Sequence, residues 1–222
     1  GAIWDFEVRD NTNSNGLYIL DRQGNLELHL TKEAGISSRS ILDIYEDSSG
    51  DLWLAHNNGL SKVDYSAPFS LLNEESAVLG TGYTALHTDN GSYFGTNNGL
   101  YYLANKERTL KKLSLIEGQV YNIKEVGGDI LVGAHFGAYQ IKDDKVIEVS
   151  GGVGWWNFVE TTQSGLAIGG GYVGLFLLEK VEDLWKVVKY YPNFNESSRV
   201  MEFDASGNLW VTHPDKGVFS VE

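Results

Sequence analysis

A glycine followed by an apolar or aromatic stretch recurs at Gly16, Gly59, Gly99, Gly137, Gly174 and Gly217, at steps of 37 to 43 residues. The clearest copies read Asp51-Leu-Trp-Leu-Ala-His-Asn-Asn-Gly-Leu60, Ser92-Tyr-Phe-Gly-Thr-Asn-Asn-Gly-Leu100 and Asn208-Leu-Trp-Val-Thr-His-Pro-Asp-Lys-Gly217. A period near 40 built from short strands and turn residues predicts the blades of a β-propeller. Each unit holds too little apolar surface to fold alone, so neighbours must stack. The expectation is an all-β propeller of five to six four-stranded blades, spanning 1–222 as a single domain. The terminal blades are incomplete, or are closed by both chain ends together.

Composition narrows the function classes. There are 17 basic and 30 acidic side chains, a formal net charge of −13. Such a surface repels phosphate backbones and anionic headgroups, so neither nucleic acid nor a membrane surface is an expected partner. The absence of cysteine excludes a disulfide framework, thiol catalysis and cysteine-ligated metal. No apolar run reaches the length of a membrane helix, and no signal peptide is visible. Residue 1 is glycine rather than methionine, which suggests a processed or excised fragment.

Within the best repeat, Ile41, Asp43 and Tyr45 should face one side of a strand, and Leu42 and Ile44 the other. A turn follows at Asp47-Ser-Ser-Gly50, then strands at 52–55 and 60–64 and an outer strand near Phe69–Leu72. Equivalent turns fall at Asp89-Asn-Gly91, Gly127-Gly-Asp129, Gln163-Ser-Gly165 and Asp204-Ala-Ser-Gly207. These aspartates read as turn formers, because no twelve-residue calcium ligand series exists. Residues 178–191 have a helix-like period, yet their place in the repeat calls for two strands with a turn at Glu182-Asp183. The basic cluster 105–112 reads as a loop and edge strand. N-terminal strands are expected near Ile3–Val8, Leu17–Leu20 and Leu26–Leu30, the last available to complete the C-terminal blade.

Ile41-Leu-Asp-Ile-Tyr-Glu-Asp47, Leu52-Trp53-Leu54 and Asn58-Gly59-Leu60 resemble the two-component regulator propeller repeat. Phe94-Gly-Thr-Asn-Asn-Gly-Leu100 and Phe203-Asp-Ala-Ser-Gly-Asn-Leu-Trp-Val-Thr212 match its second and first halves. The copies at 119–141 and 155–178 are degenerate, with Leu131 and Ala167 where tryptophan is usual. The resemblance implies a periplasmic or extracellular sensor region of a bacterial hybrid two-component system or related regulator. Carbohydrate sensing is a common theme of such regions. It also implies that Trp53 and Trp210 build the blade core.

In a propeller, the loops between second and third strands and the entries to inner strands share one face. Here they hold Arg39, His56, Asn57, Tyr83, Asn97, Tyr121, His135, Trp155, Trp156, Tyr172, Arg199 and His213. This mixture suits a sugar: planar faces for the apolar side of a pyranose and polar groups for its hydroxyls. Trp155 and Trp156 are adjacent, so only one can face the packing layer. Arg39 and Arg199 follow matching Ser-Ser pairs, and either anchor acidic groups of a ligand or pair with local carboxylates. The histidines are explained by the repeat more simply than by a metal, and no cofactor is expected.

No nucleophile elbow or paired-carboxylate motif appears. The expected function is therefore a non-catalytic ligand-sensing module, with a small molecule or oligosaccharide as partner. Self-association or contact with other receptor domains is a further expectation. A protein-interaction scaffold and a propeller lyase or hydrolase are the alternatives.

Overall fold

The computed structural model describes residues 16–64, 80–105, 110–143 and 145–221. The strands expected at Ile3–Val8 and Phe69–Leu72 lie outside the described residues. The chain divides into two compact units, Gly1–Glu75 and Ser76–Glu222. In the first, β1 (Leu17–Leu20) pairs with β2 (Leu26–Leu30), and β3 (Ile41–Glu46), β4 (Leu52–His56) and β5 (Gly59–Val63) form an antiparallel sheet. Leu17, Ile19, Ile36, Leu52 and Leu54 pack into its buried core.

The second unit holds four antiparallel sheets in chain order. The first comprises β6 (Gly82–Thr88), β7 (Gly91–Thr96), β8 (Gly99–Ala104) and β9 (Lys111–Leu113). The next is β10 (Val120–Val126), β11 (Asp129–Ala134), β12 (Gly137–Lys142) and β13 (Lys145–Gly151). It is followed by β14 (Trp155–Glu160), β15 (Leu166–Gly171), β16 (Gly174–Val181) and β17 (Leu184–Tyr191). The last is β18 (Val200–Phe203), β19 (Leu209–His213) and β20 (Gly217–Val221). The helix-like stretch 178–191 is indeed two strands, joined through Glu182 and Asp183 at positive φ, as a tight hairpin requires. Leu26–Leu30 pairs with β1 in its own two-stranded sheet, and the β18–β19–β20 sheet stays three-stranded among the described residues, so the expected strand donation is not formed.

Strand alternation builds the core of the second unit. On β11, Val132 and Ala134 pack into a cluster with Tyr93, Leu100 and Val120, while Leu131 packs with Trp155, Phe158 and Leu178. On β15, Ala167 joins the latter cluster and Ile168 a third one with Met201 and Val211. The two middle sheets of this unit are thus each buried on both faces against their sequence neighbours, as stacked repeats require.

The innermost strands depart from simple alternation. In each of β3, β6, β10 and β14 one residue is bulged out of the ladder: Leu42, Tyr83, Tyr121 and Trp156. The extra residue brings positions three apart onto one face. Ile41 and Ile44 therefore share the core side, against the alternation expected for this strand, and Val120/Ile123 and Trp155/Phe158 do the same.

Three Asp turns share one construction. The Asp21, Asp47 and Asp204 carboxylates each accept backbone N–H groups two and four residues on, and the glycine N–H three on donates to the aspartate carbonyl. The second carboxylate oxygen of Asp47 accepts the Trp53 indole N–H at 2.9 Å, and that of Asp204 accepts Trp210 at 2.9 Å. This corrects the expectation for both tryptophans. They are 38% and 44% exposed, because Leu52/Leu54 and Leu209/Val211 occupy the core side of their strands. Among the described residues the buried tryptophans are Trp155 and Trp185.

Candidate functional site

The bulge places one side chain at the same point of each successive inner strand in the second unit. Tyr83, Tyr121 and Trp156 stand at the bulge of β6, β10 and β14. In the fourth sheet the corresponding residue is Arg199, which directly precedes Val200, the residue paired with Thr212. These four side chains touch in series. The Tyr83 and Tyr121 rings are 6.0 Å apart, Tyr121 and Trp156 are 4.3 Å apart, and the Arg199 guanidinium lies 4.9 Å over the Trp156 ring. Residues opposite the bulge are small: Gly95, Gly133 and Gly170. A Cβ on Gly133 would lie 2.7 Å from the Trp155 carbonyl oxygen, and one on Gly170 would lie 2.3 Å from that of Ser198. Glycine there lets the next inner strand approach and keeps the ladder in contact.

A second row comes from the hairpins between second and third strands. The first turn residue of each donates its backbone N–H to the carbonyl two residues before the bulge: Asn97 to Thr81, His135 to Gln119 and Tyr172 to Gly154. This holds the His135 and Tyr172 side chains against the ladder. Tyr172 lies 4.9 Å from Trp156 and 6.2 Å from Tyr121, ring to ring. It can do so because residue 154 is glycine, where a Cβ would fall 2.4 Å from the Tyr172 ring.

Three polar atoms converge there. The Tyr172 hydroxyl is 2.7 Å from that of Tyr121 and 2.6 Å from His135 Nδ1, and Tyr121 also donates to Gln119 Oε1. A carbonyl oxygen only accepts, so the Tyr121 proton goes to Gln119. Its oxygen then accepts from Tyr172, and the Tyr172 oxygen accepts from His135 Nδ1–H. The chain thus runs His135 → Tyr172 → Tyr121 → Gln119. It leaves the lone pair of the neutral imidazole on Nε2. Burial, and then the hydrogen bond with Tyr121, push the Tyr172 hydroxyl well above the ordinary phenol range.

Of the candidates from sequence, Tyr83, Tyr121, His135, Trp156, Tyr172 and Arg199 come together in this cluster. Trp155 does not: its side chain is fully buried between Phe158 and Phe176, on the opposite side of the bulge from Trp156. Asn97 turns inward, its Oδ1 accepting the Thr81 N–H at 2.8 Å. His213 accepts the Asp215 and Lys216 N–H groups at 3.1 and 3.2 Å, and so shapes its own loop.

Three candidates lie in the first unit. His56 is buried, with Nδ1 2.9 Å from the Ser40 carbonyl oxygen and Nε2 2.9 Å from Ser61 Oγ. Asn57 is exposed in the hairpin turn. Arg39 precedes the bulge by three residues, so it is not the structural counterpart of Arg199 despite the matching serines; Leu42 is. The site also uses two residues that sequence reasoning passed over, Gln119 and Ser197, beside the loop residue Phe136. Gln119 ends the hydrogen-bond chain, and Ser197 fixes the Trp156 indole through a 2.9 Å bond. Phe136 stands edge-on to His135 at 4.6 Å. Among the described residues no group of three or more His, Asp or Glu is placed to hold a metal, and no helix is long and apolar enough to cross a membrane.

Antiparallel sheets of up to four strands that follow one another in chain order define a propeller-type repeat fold. Residues 35–58 match the family model described as two component regulator propeller. A search of curated proteins returns no match. Among solved structures, the extracellular domain of BT4673 from B. thetaiotaomicron, described as a one component system, aligns at TM-score 0.57 and 15% identity over 94% of this chain and 34% of that one. The extracellular domain of the B. thetaiotaomicron hybrid two component system BT3049 aligns at 0.54 and 16%, over 92% of this chain and 30% of that one. PorZ, a surface component of the type-IX secretion system of Porphyromonas gingivalis, aligns at 0.50 and 14%, over 93% and 36%. The chain spans about a third of the length of these structures, and at such identities the likeness is one of fold.

Proposed function

We propose that this chain is a non-catalytic, ligand-sensing propeller module of a periplasmic or extracellular bacterial receptor, and that its ligand is an extended oligosaccharide lying along the Tyr83–Tyr121–Trp156–Arg199 ladder. The observation that carries this reading is the ladder itself. Three successive inner strands each deliver one aromatic ring to a common edge by the same bulge, and Arg199, at the entry to the fourth, continues the row. Core packing explains none of these four: Tyr83 and Arg199 are exposed, Tyr121 and Trp156 partly so. Aromatic faces bordered by hydroxyl, imidazole and guanidinium groups match the two-sided chemistry of a pyranose. An occupant touching all four must be longer than one ring, so affinity should rise with chain length. Calorimetry against a glycan panel tests the proposal. Binding of oligomers over monosaccharides, without turnover, is expected, and Trp156→Ala should abolish it. Turnover, or binding that survives Trp156→Ala unchanged, would overturn it.

A second reading rests on the first unit. Leu42, Tyr45 and Leu60 on β3 and β5 are exposed, and such a surface favours protein contact. Its test is self-association: sedimentation should show dimers that Tyr45→Ser with Leu60→Ser removes.

A further inference from the structure

We propose that the saccharide on the ladder carries a carboxylate, and that Arg199 is the residue that reads it. The inference rests on the ligand-binding reading above and narrows it. The guanidinium lies 4.9 Å over the Trp156 ring. A guanidinium held over an aromatic ring keeps N–H donors for a carboxylate, which its planar fork engages through two parallel bonds. The platform beneath is fixed, because the Trp156 indole donates to Ser197 Oγ at 2.9 Å. Arg199 is therefore held ready, with less side-chain freedom to lose on binding.

No carboxylate among the described residues pairs with Arg199. That is informative in a chain with 30 acidic side chains against 17 basic ones. The acid nearest in the chain on the N-terminal side, Glu196, is engaged elsewhere: Lys216 Nζ is 2.8 and 2.7 Å from its two oxygens, and His213 Nε2 is 3.7 Å away. Glu196 is thus committed to Lys216, and among the described residues the arginine on the ladder has no carboxylate partner.

The neighbouring groups define where the anion must be. Trp156 and Tyr121 continue directly from Arg199 as aromatic faces. The occupant therefore couples a stacking ring to a carboxylate at one end, as in a uronic-acid unit. A free small anion, with no ring to stack, does not meet this description. Binding accordingly needs the ladder and the arginine together.

The test compares three probes by calorimetry on the full chain: a galacturonic-acid tetrasaccharide, its methyl ester and a sulfated galactose tetrasaccharide. The acid should bind about tenfold more tightly than the ester, since one charge-assisted pair is lost. Arg199→Gln should erase that preference and Arg199→Lys should retain part of it, because lysine keeps charge without the planar fork. Trp156→Ala should remove binding of both acid and ester. Equal binding of acid and ester overturns the carboxylate inference while upholding the ladder. So does an acid preference that survives Arg199→Gln, or tighter binding of the sulfate ester. Absence of binding by every probe overturns both readings. The acid–ester comparison needs no variant, so it decides even if a substitution perturbs folding.

Discussion

At the residue scale, the tryptophans show how one residue type takes two roles. Trp53 and Trp210 satisfy a carboxylate at a turn from an exposed position, whereas Trp155 fills the space between two sheets. Trp155→Ala should cost about 3–5 kcal/mol, but Trp53→Ala or Trp210→Ala only about 1 kcal/mol, the net value of a hydrogen bond. Denaturant midpoints of the three variants check the ordering. Hydrogen bonds from Trp210 first, then from Asn208, hold the Asp204 carboxyl down at about 2. Its unfolded value is about 3.9, so the folded state favours the ionised form. That stabilisation is complete above about pH 4 and is lost as pH falls towards 2. Asp204→Asn should flatten the acid limb of a thermal melting series over that window; an unchanged limb would refute the assignment. The tyrosine–histidine chain makes its own prediction. In ¹⁵N-labelled protein, the neutral His135 ring should carry its proton on Nδ1, and Tyr172→Phe should release that preference. Observation of the Nε2–H form in the unaltered chain would contradict the hydrogen-bond order.

At the scale of the element, the bulge separates what the sequence showed from what it hid. The turns were legible because aspartate and glycine have few other uses at that spacing, and the 182–183 hairpin followed from its place in the repeat. Face assignment failed at Ile41–Ile44. An i, i+3 apolar pair contradicts the period of a strand, and only an inserted residue reconciles the two. The same pair recurs as Val120/Ile123 and Trp155/Phe158, so the signal was present but lacked an interpretation. Read as a bulge, it singles out the residue just after the first of each pair: Leu42, Tyr121 and Trp156. It also separates Arg199 from Arg39, which the flanking serines had equated. Gln119 was invisible because its role depends on a hairpin from a later strand, His135 donating its backbone N–H to the Gln119 carbonyl. Two glycine substitutions test the element. Gly170→Ala brings a methyl group to 2.3 Å from the Ser198 carbonyl oxygen and should cost about 1–3 kcal/mol. Gly154→Ala drives Tyr172 off the backbone and should change the His135 imidazole spectrum as Tyr172→Phe does, while the sheets remain folded by circular dichroism.

At the scale of the whole molecule, the question is what makes stacked sheets of the second unit behave as one body. Apolar clusters between sheets supply most of the stability, but they are non-directional and tolerate sliding. One buried polar contact is directional. Gln140 on β12 is fully buried, donates from Nε2 to the Asp183 carbonyl at 3.0 Å and accepts the Trp185 N–H at Oε1, also at 3.0 Å. It therefore joins the third strand of one sheet to the β16–β17 hairpin of the next. Trp185 is anchored again by its indole N–H on Asp129, 2.9 Å away, which also pairs with Lys180 at 2.8 Å. Sheet-to-sheet register is thus fixed at the hairpin end, while the ladder occupies the inner-strand edge. Gln140→Leu keeps the volume but leaves the Asp183 carbonyl and the Trp185 N–H without partners, at a cost of about 1–3 kcal/mol. The loss should be local in its dynamics. Hydrogen exchange should quicken in 184–191 before it does in β10 or β14, and the aromatic ladder should keep its spectroscopic signature. If exchange instead rose uniformly through all four sheets, the side chain would be a general core residue and not the register lock its two hydrogen bonds describe.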